Sequence, residues 1–235
     1  MSTDVFERHE VKYLVDGPTR TRLMHRIGDR ITPDEHGRSS ILNLYLDTPD
    51  HRLVRRSLEK PAYKEKVRLR SYGMPGPDGM VFLELKKKYR QVVYKRRVEL
   101  TNAAARTALA HPSLLVREGQ IGRELAYAFD FYQGLSPVMY LSYDREAFYS
   151  TDDRDLRITF DDDVRWRTHD LDLDVAPSGE EVLARGGSIL EVKAAGSMPL
   201  WLADTLNELA VFPTGFSKYG RAYQMMNGTK EALSA

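Results

Sequence analysis

The chain contains no cysteine, which excludes disulfides and thiolate metal sites. It has no apolar run long enough to span a membrane. Its N-terminal stretch MSTDVFERHEVKY lacks the apolar core of a secretory signal, so a cytoplasmic location is expected. It also has almost no net charge: 35 Lys and Arg against 34 Asp and Glu leave +1. A nonspecific nucleic-acid binder carries a basic excess, and the aromatic residues lack the pattern of base-stacking strands; no nucleic-acid partner is expected. None of the six histidines forms a His-x3-His pair, and His9 lies on the opposite strand parity from Glu10. There is no low-complexity linker and no repeat, so one domain is expected over residues 1–235, with its core at about 6–225.

What is present is cation placement. In YKEKVRLRSY, side chains two apart share a strand face, which puts Lys64, Lys66, Arg68 and Arg70 on one face and Glu65, Val67, Leu69 and Ser71 on the other. In VFLELKKKYR, Glu84, Lys86 and Lys88 share a face opposite Leu83 and Leu85. Two such strands side by side make a basic surface that also holds a carboxylate, which suits a polyphosphate and its divalent metal. A solvated strand face is the alternative for either strand alone. Recurrence of the pattern in other segments favours a built site.

Strands are expected at about 6–15, 41–47, 63–73, 80–90, 92–101, 138–150, 156–163, 170–175 and 187–195, and helices near 18–28, 49–58, 119–132, 198–210 and 217–227. Asp47-Thr48-Pro49 reads as a cap followed by proline at the first helical position. Pro199 opens a helix whose Leu200, Leu206 and Leu209 form a buried stripe. GMPGPDG at 73–79 is a hairpin turn. The Asp161–Asp163 run reads as a strand-end turn. Apolar parity falls on Val67 and Leu69, Leu83 and Leu85, Ile158 and Phe160, Leu190 and Val192. Between them stand Lys66, Arg68, Glu84, Lys86, Arg157, Thr159, Asp161, Glu191 and Lys193. If helices cover the apolar outside, the charged parity points inward. Unpaired buried ions cost several kcal/mol each, so that interior must be wet and hold a charged ligand.

The segment RHEVKY (Arg8 to Tyr13) resembles the RxExK form of the ExExK signature of triphosphate tunnel metalloenzymes. With YLDTPDHRLVRRSLE, YKEKVRLRSY, FLELKKK, VYKRRVEL, YDREAF, RITFD, ILEVKA and FSKY in the family's order, the chain is similar to the VTC domain, the polyphosphate polymerase branch of that CYTH-like superfamily. The resemblance implies an α+β, β-dominated fold: an eight-stranded antiparallel tunnel barrel with helices packed outside. It implies ATP, inorganic triphosphate or polyphosphate as ligand, with Mn²⁺ or Mg²⁺ as cofactor. Polymerase members move the γ-phosphate of ATP onto a growing chain, while relatives hydrolyse triphosphates. A polymerase-like phosphotransferase is the first expectation, a tripolyphosphatase or nucleoside triphosphatase the second, and a silent polyphosphate-binding module the third.

Carried over position by position, the resemblance makes Lys12, Arg68, Arg70, Lys86, Arg145 and Arg157 the catalytic clamp. Lys95, Tyr143, Ser217 and Lys218 become substrate contacts, and Glu191 the metal carboxylate. From their strand faces Lys64, Lys66, Lys88 and Lys193 join the substrate set, with Glu10 and Glu84 as metal companions. An ion pair within the barrel is the alternative for each. Arginine's planar fork suits phosphate oxygens, while lysine acts as a point charge. Three positions bear on the polymerase pattern: Arg8 replaces the superfamily's first glutamate, as is usual in this branch, Gly215 stands where a second basic residue occurs, and Lys88 where histidine occurs. These residues contain no recognisable SPX sensor or transmembrane tail, and they leave protein partners open.

Overall fold

The computed structural model describes residues 9–90 and 92–228. Arg8 and the start of the first expected strand lie outside the described residues. The order is β1 (His9–Val15), α1 (Gly17–Ile27), β2 (Ile31–Asp47), α2 (Arg52–Leu58), β3 (Tyr63–Tyr72), β4 (Met80–Tyr89), β5 (Val92–Thr101), α3 (Asn102–Ala110), α4 (Gly119–Tyr132), β6 (Ser136–Ser150), β7 (Arg157–Arg167), β8 (Glu180–Glu181), β9 (Ser188–Ala194), α5 (Leu200–Glu208) and α6 (Lys218–Met226). No described helix is long and apolar enough to cross a membrane.

All strands join one antiparallel sheet in the order β1-β9-β7-β6-β2-β3-β4-β5, with the two-residue β8 beside β7. The class is α+β and β-dominated. Among the described residues no hydrogen bonds join the two edge strands, β1 and β5, so the ring is not closed by backbone pairing. It curls nonetheless, because Glu10 of β1 reaches Lys86 of β4 at 3.7 Å.

Strand alternation divides the core. On the convex side, Leu42, Leu44, Val67, Leu69, Leu83 and Leu85 pack under α3 and α4. Tyr13, Ile158, Phe160, Leu190 and Val192 pack under α1 and α5. Helix α4 fits because Leu125, Ala128 and Phe129 recur at helical spacing and are all buried. Helix α1 starts at Asp16, whose carboxylate accepts from the Thr19 N–H at 2.8 Å.

The expectation that helices lie outside fails for α6. It packs on the concave face, where Tyr219 and Ala222 bury against Tyr45, Val54, Met139, Leu141 and Ile189. Tyr219 stacks on Tyr45 with centroids 4.2 Å apart, and its hydroxyl donates to Asp47 at 2.8 Å. A Cβ on Gly220 would lie 2.9 Å from Leu58 Cδ2, so glycine lets α6 approach α2 closely.

Four local expectations are corrected. Residues 170–175 form a loop and bends, not a strand; their alternating aspartates serve turns and ion pairs, as where Asp174 accepts from the Gly76 N–H. Helix α2 begins at Arg52 with His51 at the N-cap, rather than at Pro49 after an Asp47-Thr48 cap; the Asp47 carboxylate reaches in from the end of β2 to accept from the Leu53 and Val54 N–H groups at 2.8 and 3.0 Å. Leu200 is 79% exposed, and Leu202 joins Leu206 in the buried stripe. Asp161–Asp163 lies within β7, which continues to Arg167 past an irregularity where Asp163 takes φ 46°. Helix α3, capped by Thr101, which accepts from the Ala104 N–H, was not anticipated.

Candidate phosphate-binding site on the concave face

The β3–β4 register places cations and one carboxylate in facing rows: Lys64 opposite Lys88, Lys66 opposite Lys86, Arg68 opposite Glu84. Strand β5 adds Lys95 opposite Lys86. The GMPGPDG turn fixes this register by closing the β3–β4 hairpin. Like charges in directly opposed positions repel, so the rows need compensation, and three acidic centres supply most of it.

The first centre is Glu84, 2% exposed. Arg68 Nη2 lies 2.6 Å from Oε2, Lys95 Nζ 2.6 Å from Oε1, and Arg70 Nε 4.0 Å from Oε2. Burial raises the Glu84 pKa, but Arg68, Arg70 and Lys95 outweigh it and hold the carboxyl far below the usual range. Arg68 is correspondingly fixed as a cation: burial opposes its charge and Glu84 overrides that.

The second centre joins β1 and β9. Lys12 stands opposite Glu191 in the register, with Nζ 3.7 Å from Glu191 and 3.2 Å from Glu10. Lys193 meets Glu191 at 2.7 Å. Burial raises the Glu191 pKa, but Lys193, Lys12, Arg145 and Lys218 drive it well down. Glu10 is also lowered: burial and Glu191 oppose its charge, while Lys86, Lys12 and Lys193 favour it.

The third is Asp161, fully buried. Arg145 grips it with two hydrogen bonds of 2.6 and 2.8 Å, and Lys218 of α6 shares the Oδ2 that Arg145 Nη2 bonds. Tyr143 lies beneath them, with Lys218 Nζ 4.5 Å above its ring and Arg70 donating to its hydroxyl at 3.2 Å. Burial raises the Tyr143 pKa, but Arg70, Arg145 and Lys218 pull it down to about 8.

The structure thus brings Glu10, Lys12, Lys66, Arg68, Arg70, Glu84, Lys86, Lys95, Tyr143, Arg145, Glu191, Lys193, Ser217 and Lys218 onto one concave face. Arg157 stands beside Lys193 in the β7–β9 register, but its guanidinium turns to Asp34 at 3.0 Å. Lys64 donates to the Ser57 carbonyl at 3.3 Å, and Lys88 is half-buried at the end of the row.

Three supporting residues escaped sequence reasoning. Asn43, fully buried on β2, accepts from Arg70 Nε at 3.0 Å. Tyr45 accepts from Arg68 Nη1 at 3.3 Å, and Asp34 holds Arg157. Asn43 and Tyr45 were findable as the inward parity of the apolar strand ILNLYLD.

Hard oxygens suit a divalent cation, and one bridging phosphates typically takes only one or two protein carboxylates. Glu10 and Glu191 supply such a pair of carboxylates, both lying against the Lys12 ammonium, which a metal there would have to displace. Glu84 is already enclosed by Arg68 and Lys95, so a metal there would share it with them. Among the described residues no group of three acidic or histidine side chains is placed to hold a metal unaided.

A sequence model of the VTC domain matches residues 7–227. The chain belongs to the VTC domain family. Two solved structures share the fold of this VTC domain. One is a proposed adenylyl cyclase from Hippeastrum, described as having a dominant triphosphatase activity: TM-score 0.60, 16% identity, 96% of this chain and 98% of that one covered. The other is a proposed adenylate cyclase from Bacillus halodurans: TM-score 0.55, 16% identity, 92% and 96% covered. No curated protein sequence matched.

Proposed function

We propose that this VTC domain is a metal-dependent phosphotransferase that binds ATP, inorganic triphosphate or polyphosphate along the concave face and works as a polyphosphate polymerase. The observation that carries this reading is the clamp itself: Arg68, Arg70, Arg145, Lys12, Lys86, Lys95 and Lys218 converge from five strands and one helix, positioned by only a few carboxylates.

Phosphoryl transfer depends mainly on positioning and on neutralising charge spread over the transferred group. Arg68 and Arg145 are held in fixed orientations by Glu84 and Asp161, so they meet phosphate oxygens without reorganising. Arg70 is fixed from behind by Asn43 and Tyr143. Lys12 and Lys86 share Glu10 and present ammonium groups for the charge that develops during transfer. Lys95, Lys193, Ser217, Lys218, Lys64 and Lys88 extend the contact surface, and Arg157 borders it. Glu191, with Glu10, would hold Mn²⁺ or Mg²⁺, which when bound neutralises phosphate charge and aligns the chain.

Hydrolysis of tripolyphosphate or a nucleoside triphosphate is the second reading, favoured by the triphosphatase activity ascribed to the Hippeastrum protein. Both reactions use the same clamp and differ in acceptor. Incubation of the purified protein with ATP and Mn²⁺, followed by separation of products by length, tests the choice. Long chains support the polymerase and orthophosphate the hydrolase. Tight binding without either product leaves a non-catalytic polyphosphate-binding module.

A further inference from the structure

Lys66 differs from the cations around it. Lys12, Arg68, Lys86, Lys95, Arg145, Lys193 and Lys218 each lie within 4.0 Å of a carboxylate. Lys66 donates instead to the Ser217 hydroxyl at 2.8 Å, a neutral oxygen that also caps α6 by accepting from the Gly220 N–H. The groups facing it from the packed elements are Lys12 of β1, Lys64 and Arg68 of its own strand, Lys86 of β4 and Ser217 of α6. The nearby acids are already engaged: Glu10 by Lys12 and Lys86, Glu84 by Arg68 and Lys95, Asp161 by Arg145 and Lys218.

We infer that Lys66 is the proton-uptake site of the concave face: it is neutral when that face is empty and takes up a proton when an anionic phosphate group binds beside it. The inference rests on the proposed reading of this face as a phosphate site. It assigns one specific side chain to ligand-linked protonation and makes affinity depend on pH through that residue.

The physics follows from the charges. Burial disfavours the ammonium, and Lys12, Lys86, Lys64 and Arg68 disfavour it further, bringing the group to about 7. Ser217 offers the ammonium one neutral oxygen and no opposite charge, so it compensates far less than a carboxylate would. A phosphate oxygen adds the missing opposite charge and restores the ammonium. At pH 8 the empty protein therefore holds a largely neutral Lys66, and binding draws close to one proton onto it, roughly 0.9. Affinity should fall by up to about tenfold per pH unit above 7 through this group alone.

Competitive acylation of each lysine against pH, read by mass spectrometry on the unaltered protein, tests the first half. Lys66 should show a midpoint near 7 without ligand, rising by more than one unit with saturating tripolyphosphate. An ordinary midpoint near 10.4 in the empty protein overturns the inference. Calorimetry of tripolyphosphate binding at pH 8, in buffers of different ionisation enthalpy, tests the second half. Proton uptake should drop by close to one, roughly 0.9, in Lys66→Arg, whose guanidinium stays charged. Unchanged uptake in that variant overturns the assignment to Lys66. If unaltered protein does not bind tripolyphosphate at all, the phosphate-site reading itself fails, whatever midpoint Lys66 shows.

Discussion

Arg68 and Glu84 occupy directly opposed positions on β3 and β4, and guanidinium and carboxylate meet at 2.6 Å. The pair sits at the centre of the clamp, with Arg70 and Lys95 on the same carboxylate. Removing the acid strands three cations. Glu84→Gln should therefore destabilise the empty protein by about 3–5 kcal/mol, the usual loss on breaking a buried pair. Tripolyphosphate should restore much of that stability, as thermal melts with and without ligand will report. A ligand-independent loss would make Glu84 purely structural.

Parity gives a sharper test of the concave face. Arg68→Ala or Lys86→Ala should weaken tripolyphosphate binding at least about tenfold, because a charge-assisted bond contributes about 1.5–3 kcal/mol. Lys87 points to the convex side, 3.5 Å from Glu124, so Lys87→Ala should change affinity little. Titration calorimetry on the three variants decides, and equal losses would mean the ligand does not lie on this face.

Metal dependence should run through Glu191. Glu191→Gln keeps the size and removes the charge, so turnover should be lost while the protein still folds and binds phosphate. Activity measured across Mn²⁺ concentrations checks this; full activity at low Mn²⁺ would move the metal elsewhere.

The empty protein should become more stable as pH rises from 7 to 9. Lys66 and Lys86 have folded values of about 7 and 8, below the unfolded value near 10.4. In that window the unfolded chain binds more protons, so stability increases with pH, and below pH 7 the full cost of both charges is present. Melting temperatures of Lys66→Met should show a shallower rise. A flat profile in the unaltered protein would contradict the burial of these two amines.

Ligand length offers the last test. A ligand that binds only the folded state stabilises it by about 2.7 kcal/mol at a hundredfold excess over Kd. Tripolyphosphate should raise the melting temperature by several degrees, more than orthophosphate at equal charge, and the shift should persist at moderate salt because enclosed contacts are poorly screened. Equal shifts from orthophosphate would point to a surface patch.

Much of this was readable from alternation. The paired rows of β3 and β4, the inward parity of Glu191 and Lys193, and the apolar convex faces follow from period two, because every second side chain of a curled sheet meets the lumen. What escaped depends on long-range packing. Nothing local in FSKYGRAYQMM says that α6 will turn inward; that orientation comes from Tyr219 stacking on Tyr45 and bonding Asp47. Asp161 is legible as an inward residue of the expected 156–163 strand, but three successive aspartates resemble the turn that ends it. Only the packing shows that β7 runs on to Arg167, with Arg145 and Lys218 balancing Asp161. The 170–175 segment has strand-like alternation, but Asp170 takes φ 46° and Asp172 and Asp174 are drawn to Arg106.

The inward turn of α6 also sets an order in time. Lys218 opens the last described helix and Ser217 caps it, while β1, the first described strand, pairs with β9 and bridges Pro213, both far along the sequence. A ribosome must therefore deliver β9 before the first described strand finds that partner, and Lys218 before the clamp acquires this lysine. Such distant pairings fold slowly. A nascent chain halted before residue 188 would expose both β1 and β7 as unpaired edges, open to aggregation. Phosphate chains in the surrounding solution would meet a competent site only after residue 218 has been made and α6 has turned inward.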